Sequence, residues 1–207
     1  MAIDANALVV MTKAPEPGQS KTRLVPPLSF DEAAELARAL LIDQLEHLAR
    51  FDGAQRFIDF TPKTAAGFFE AYAAQGYACF LQRGDSLGER MRHAFEQVFA
   101  RGLHNIVLIG SDLPIIPLSF FEQAYSWLDG DRTDIVLGPS LDGGYYLIGM
   151  NRLIPDLFDG IAWSRDDVLV RTTEKIAVLG LKYKLLPLFY DIDTVADLSR
   201  LSQRISG

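Results

Sequence analysis

Apolar residues along this chain follow two alternating rhythms. Short runs rich in Val, Ile, Leu, Phe and Tyr are separated by longer stretches whose apolar positions fall three or four apart. The runs predict strands over residues 7–11, 56–60, 77–81, 105–109, 134–138, 145–149 and 182–186. The longer stretches predict helices over 30–49, 65–75, 87–101, 118–128, 167–179 and 195–204. Leu8-Val9-Val10-Met11 and Ile106-Val107-Leu108-Ile109 are continuously apolar, the pattern of strands buried on both faces in a helix-covered parallel sheet. Ser29 with Glu32 and Ser86 with Glu89 have capping-box spacing, and Ser119 with Glu122 repeats it more loosely. Gly180 suits a helix stop. Strands alternating with helices over 207 residues, without repeat or linker, imply one α/β domain spanning 1–207.

Composition narrows the function classes. With 49% hydrophobic and 23% charged residues the chain is an ordinary globular protein, and its net charge of −7 argues against nucleic acid as a partner. The amino terminus lacks a basic leader and no apolar run approaches membrane-spanning length, so a cytoplasmic protein without membrane association is expected. The single cysteine, Cys79, lies in an apolar stretch and reads as a packing residue.

In open parallel sheets ligands bind beyond the carboxyl ends of the strands, so the segments directly after apolar runs rank first. After the first run come Lys13, Lys21 and Arg23, with Pro15, Pro17 and Gly18, a basic island in an acidic chain. Gly18 allows close backbone approach, and the cations suit a small polyanion; the bland alternative is a solvated loop. A P-loop would need Gly directly before the lysine and five residues earlier, where Ser20 and Pro15 stand. After the fourth run comes Gly110-Ser111-Asp112-Leu113-Pro114, which places Asp112 to hold a hard cation or to cap the next segment. Near the end, Asp191 and Asp193 share a side if the stretch is extended, while Thr194 and Asp197 can cap the last helix. Asp142-Gly143-Gly144 between two runs is a hairpin signal. No Gly-x-Ser-x-Gly elbow is present, and His47, His93 and His104 lack metal-ligand spacing and read as packing or surface residues.

Jointly, several segments resemble a known family: Lys13-Ala-Pro-Glu-Pro-Gly-Gln-Ser-Lys-Thr-Arg-Leu, Leu87-Gly-Glu-Arg-Met, Ile109-Gly-Ser-Asp-Leu-Pro, Gly138-Pro-Ser-Leu-Asp-Gly-Gly-Tyr-Tyr-Leu-Ile-Gly, Trp163-Ser164 and Asp191-Ile-Asp-Thr. They look like the bacterial glycosyltransferase-like proteins called selenodomain-associated transferases, in the nucleotide-diphospho-sugar transferase superfamily. More distantly, the chain is similar to phospholactate and molybdenum cofactor guanylyltransferases.

The resemblance covers residues 7 to 200 and implies a GT-A, Rossmann-like, mostly parallel sheet flanked by helices. It also implies Lys13, Gly18, Lys21, Arg23, Gly88 and Arg90 on the nucleotide side, with Glu89 alongside. Asp142, Gly143, Gly144 and Tyr145 fall on the acceptor side. Asp112, assisted by Asp191 or Asp193, would hold Mg²⁺ or Mn²⁺, and Lys21 and Asp112 would act in catalysis. The implied partners are a nucleotide or nucleotide-sugar donor and a small-molecule acceptor, with the oligomeric state open. Glycosyl transfer from a nucleotide-diphospho-sugar is the leading expectation. Guanylyltransferase-like nucleotidyl transfer from a nucleoside triphosphate to a small phosphorylated acceptor is the alternative, favoured by the single acid of Ser111-Asp112-Leu113. A non-catalytic nucleotide-binding protein is the third possibility.

Overall fold

A computed structural model describes residues 5–130 and 132–205, with side chains described through residue 200. The first four residues, part of the segment read above as lacking a basic leader, lie outside the described residues. The predicted alternation is present, with small shifts at element ends. Strands β1 (Asn6–Lys13), β2 (Gln55–Thr61), β3 (Tyr77–Leu81), β4 (Asn105–Gly110), β5 (Ile135–Pro139), β6 (Tyr145–Met150) and β7 (Tyr183–Leu185) form one sheet ordered β3-β2-β1-β4-β6-β5-β7. Only β6 runs antiparallel to its neighbours β4 and β5.

Alternation within the buried strands divides the core into two layers. Leu8 and Val10 of β1, with Ile58, Val107 and Ile109, face α1 (Phe30–Leu48), α2 (Ala66–Glu70) and α4 (Leu118–Leu128). Ala7 and Val9, with Phe57, Ile106 and Leu108, face α3 (Leu87–Phe99) and α5 (Val168–Val178). Leu8, Val9 and Val10 are fully buried, as strands covered on both faces require.

Helix starts follow local chemistry. Ser29 Oγ accepts from the Glu32 amide at 3.2 Å and Glu32 Oε2 accepts from the Ser29 amide at 2.8 Å, closing the box before α1. Ser86 and Glu89 form the same box before α3. Ser119 does not cap α4. Pro117 occupies the N-cap with φ −55°, so the ring that fixes its backbone starts the helix one residue before the serine. The stretch 65–75 is not one helix: α2 is five residues long, between 3₁₀ turns at Lys63–Ala65 and Ala71–Gln75. Gly180, at φ +66°, closes α5 as expected, with its amide on Ala177 O and the Leu181 amide on Ile176 O.

The last helix, α6 (Val195–Ile205), has Asp197 Oδ2 accepting from the amides of Asp193 and Thr194. Among the described residues, no helix is long and apolar enough to cross a membrane.

Candidate active site

Strand order reverses between β1 and β4, one neighbouring β2 and the other β6, and a crevice opens where the loops leaving their carboxyl ends part. Here it is a cleft of about 500 Å³, within the usual range for small-molecule sites.

The loop after β1 folds on itself before reaching the cleft. Ser20 Oγ accepts from the Glu16 amide and donates to Ala14 O, and Lys13 Nζ donates to Gln19 Oε1 at 3.0 Å. This brings Lys21 round in a left-handed conformation, φ 50° and ψ 34°, which residues with a Cβ seldom adopt. Its side chain is only 2% exposed, and Nζ lies 2.7 Å from Asp112 Oδ1 and 3.0 Å from Asp193 Oδ1. Arg23 reaches Asp193 Oδ2 at 3.7 Å and is otherwise exposed.

Backbone hydrogen bonds explain why distant segments meet here. The Ile192 amide donates to Asp112 O at 2.9 Å, tying the carboxyl-terminal stretch to the end of β4. Thr12 Oγ1 donates to Ser111 Oγ at 2.9 Å, linking the ends of β1 and β4. Gln82, directly after β3, donates to both Thr12 O and Asp59 O, and so clamps β1 to β2.

The expected residues divide by position. Lys13, Arg23, Arg90, Asp112, Asp142, Gly144, Tyr145 and Asp193 line the cleft, and Lys21 lies beneath it against two of them. Gly18, Gly88, Gly143 and Asp191 do not line it. Gly18 turns the loop at φ +72°. Gly88 lies under Trp163, where an added Cβ would fall 2.2 Å from the indole Nε1.

Asp191 is turned from Lys21 and accepts from Ser140 Oγ at 2.7 Å. Burial pushes its pKa up to about 6, opposed by the Ser140 hydrogen bond and reinforced by Asp142, Asp193 and Asp112. Asp191 and Asp193 therefore do not act as a same-side pair: one braces the β5 end while the other meets Lys21.

Gly143 holds the β5–β6 turn against the segment before α5. Its φ is +87°, its carbonyl accepts from the Leu169 amide, and a Cβ there would stand 1.9 Å from Asp166 O. Gly143→Ala combines backbone strain with a clash against main chain, and is expected to cost at least about 2 kcal/mol. Urea unfolding followed by circular dichroism measures this loss.

Trp163, Ser164, Arg165 and Asp166 line the far wall of the cleft. Trp163-Ser164 had no assigned role in the sequence, and Arg165 and Asp166 carried no spacing signal. Gln82 was within reach of the strand-end rule, since it directly succeeds an apolar run. Asp59, inside Phe57-Ile58-Asp59-Phe60, carried no signal beyond being a lone acid in an apolar run. It is fully buried on β2 beside Met11, with neither carboxylate oxygen hydrogen-bonded. Burial drives its pKa up to about 8 despite the pull of Arg90.

His47 hydrogen-bonds the Ile116 carbonyl, and Cys79 donates to Phe69 O from a half-buried position, so both serve packing. Among the described residues, no group of three or more His, Cys, Asp or Glu is arranged to hold a metal ion alone. Asp112 Oδ1 and Asp193 Oδ1 nevertheless converge on the single point that Lys21 Nζ occupies. Two carboxylates completed by ligand phosphate oxygens is a usual donor set for Mg²⁺, so these residues fit such an ion.

A mostly parallel sheet of this kind, with its cleft beyond β1 and β4, is the fold of nucleotide-diphospho-sugar transferases and nucleotidyltransferases. The crystal structure of a provisionally named nucleotide-diphospho-sugar transferase from Desulfovibrio desulfuricans G20 superposes with a TM-score of 0.89 at 38% identity, covering 97% of this chain and 87% of that one. The fold extends to a cytidylyltransferase from Leptospira borgpetersenii (TM-score 0.63, 16% identity, 98% of this chain and 87% of that one). It also extends to the inositol-1-phosphate CTP transferase of T. maritima (TM-score 0.60, 15% identity, 99% and 96%). No curated protein sequence matches the chain. The chain belongs to the family described as uncharacterized protein conserved in bacteria (DUF2064), which matches residues 44–165.

Proposed function

We propose that this protein is a divalent-metal-dependent transferase that uses an activated nucleotide donor, and that the group it moves is a glycosyl unit from a nucleotide-diphospho-sugar. One observation carries the reading: Lys21 and Arg23 from the β1 loop meet Asp112, just after β4, and Asp193, just before α6, within ion-pairing distance and at one cleft. Cations beside paired carboxylates are what a metal-bound polyphosphate needs. The provisional name of the D. desulfuricans relative supports the same class.

Each residue then has a role. Lys13, Arg23 and Arg90 draw in the donor phosphates, and Lys21 and Arg23 hold them in line for transfer. Asp112 and Asp193 would hold Mg²⁺ or Mn²⁺, which, when bound, neutralises charge developing on the leaving group. Asp142 uses Oδ1 to fix its own turn through the Gly144 amide, leaving Oδ2 to orient an acceptor hydroxyl beside Tyr145. Positioning by fixed charges of this kind, without a covalent enzyme intermediate, supplies the rate enhancement.

Nucleotidyl transfer is the second reading. It is favoured by the single acid of Ser111-Asp112-Leu113 and by the cytidylyltransferases that share the fold. A nucleoside triphosphate would then be the donor and a small phosphorylated molecule the acceptor. A thermal-shift panel of nucleotide-diphospho-sugars and nucleoside triphosphates, with and without Mg²⁺ or Mn²⁺, separates the readings, because a ligand stabilises by RT ln(1 + [L]/Kd). Glycosyl transfer predicts the largest metal-dependent rise for a nucleotide-diphospho-sugar. A preference for triphosphates selects the second reading, and binding without product from any acceptor points to a nucleotide-binding protein. No shift with any nucleotide overturns all three.

A further inference from the structure

The enclosed member of the charge cluster formed by Lys21, Asp112 and Asp193 is the cation. Lys21 is 2% exposed, whereas its partners Asp112 and Asp193 remain 60% and 40% exposed. A buried ammonium is tolerated when oppositely charged groups saturate it, and two carboxylates do so here. The backbone takes an unusual conformation to put it there, the left-handed Lys21 leading directly into the 3₁₀ turn Thr22–Leu24.

The point held by Nζ is within reach of both acids, 2.7 Å from Asp112 Oδ1 and 3.0 Å from Asp193 Oδ1. A Mg²⁺ ion binds carboxylate oxygens at about 2.0–2.1 Å, closer than an ammonium does. Both cannot occupy that point, because the volumes overlap and the charges repel.

We propose that Lys21 is a displaceable internal cation: in the free protein its ammonium fills the Asp112–Asp193 pair and excludes divalent metal, and it vacates the pair when metal and polyphosphate enter together. This rests on the reading of the cleft as a metal–polyphosphate site. A polyphosphate offers the displaced ammonium new oxygens in the same cleft, so Lys21 exchanges one set of anions for another instead of entering solvent. Metal entry is thereby coupled to donor entry, and the free protein has a low affinity for the ion.

The consequence runs against simple expectation, since removing a residue of the binding loop should improve binding of one of its ligands. In Lys21→Met the two carboxylates lose the cation between them. Among the described residues, Arg23, at 3.7 Å from Asp193 Oδ2, is then the one cation ion-paired with either acid.

The test is Mn²⁺ binding to the full chain without nucleotide, monitored by electron paramagnetic resonance of the free ion. Wild type, Lys21→Met, Lys21→Gln and the double variant Lys21→Met/Asp112→Asn are compared, each checked by circular dichroism. Lys21→Met and Lys21→Gln are expected to bind Mn²⁺ about tenfold or more tightly than wild type, as the loss of one adjacent positive charge allows, and the double variant is expected to lose that gain. Equal or weaker binding by both single variants overturns the exclusion and leaves the metal site standing. Absence of Mn²⁺ binding in every variant overturns the metal site itself. Should both single variants unfold, wild type decides alone: the lysine ammonium resonance that salt bridging protects must stay in place with Mg²⁺ alone and move when Mg²⁺ and inorganic tripolyphosphate are added together, and a resonance unchanged at saturation with both, or moved by Mg²⁺ alone, refutes displacement.

Discussion

Asp112→Asn is expected to reduce turnover by about 10²–10³-fold, the scale seen when one preorganised electrostatic group is removed from an active site. The fold should survive. The side chain is 60% exposed, and the link that ties β4 to the carboxyl-terminal stretch uses the Asp112 carbonyl, which asparagine keeps. Lys21 also retains Asp193 at 3.0 Å. Asp193→Asn should behave alike, because it shares the same ammonium. Asp191→Asn should not. Its carboxylate accepts from Ser140 Oγ and is turned from Lys21, so its loss should show chiefly as reduced stability. Turnover of the donor selected by the thermal-shift panel, measured beside the melting temperature of each variant, separates the two patterns. If Asp191→Asn is inactive and Asp193→Asn is fully active, the roles given to these acids are reversed.

The second large effect concerns Asp59, which the transfer mechanism does not use. Its pKa stands at about 8 in the folded protein because the carboxylate is buried without a hydrogen-bond partner. In the unfolded chain an aspartate titrates near 3.9. From about pH 4 to pH 8 the unfolded state gives up this proton while the folded state keeps it. The contribution of Asp59 to stability is therefore greatest below about pH 4, falls as pH rises, and levels off above about pH 8.

At about 1.4 kcal/mol per pH unit, the expected loss between pH 5 and pH 8 approaches about 4 kcal/mol before local relaxation reduces it. Asp59→Asn carries no titrating proton, so its advantage over wild type should widen by several kcal/mol across that interval. Paired urea denaturation curves at pH 5, 6.5 and 8 measure the difference and cancel every other titrating group. Parallel curves for the two proteins would show that Asp59 does not carry this burden.

Most of the architecture was legible because it rests on local rules. Continuous apolar runs identified β1 and β4 as buried strands, and the Ser29–Glu32 and Ser86–Glu89 boxes marked two helix starts that the structure retains. Ser119 misled because its spacing matched a cap while Pro117, two residues earlier, exerted the stronger local constraint. The stretch 65–75 read as a single helix because its apolar spacing is helical throughout, yet only five of its residues keep the α-helical hydrogen-bond pattern.

The candidate site was legible in parts. Ranking the loops at the carboxyl end of each strand located Lys21, Arg23 and Asp112 without knowledge of their distances. It could not assign the glycines, since close ligand approach and close protein packing require the same missing Cβ. Gly88 and Gly143 prove to face Trp163 and the Asp166 backbone. Nor could it separate Asp191 from Asp193, because their opposite partners, Ser140 and Lys21, come from strands and loops far away in the chain.

The amino-acid order alone thus determined the alternation of strands and helices, the double burial of the central strands and the residue types available at their carboxyl ends, since each depends on neighbours within about one turn or two strand positions. Tertiary structure alone decided that a lysine would lie between two acids 91 and 172 positions further along the chain. It also decided that the Asp59 carboxylate would be closed off from hydrogen-bond partners. Burial and charge pairing are set by which segments the sheet brings side by side, and no local pattern encodes that.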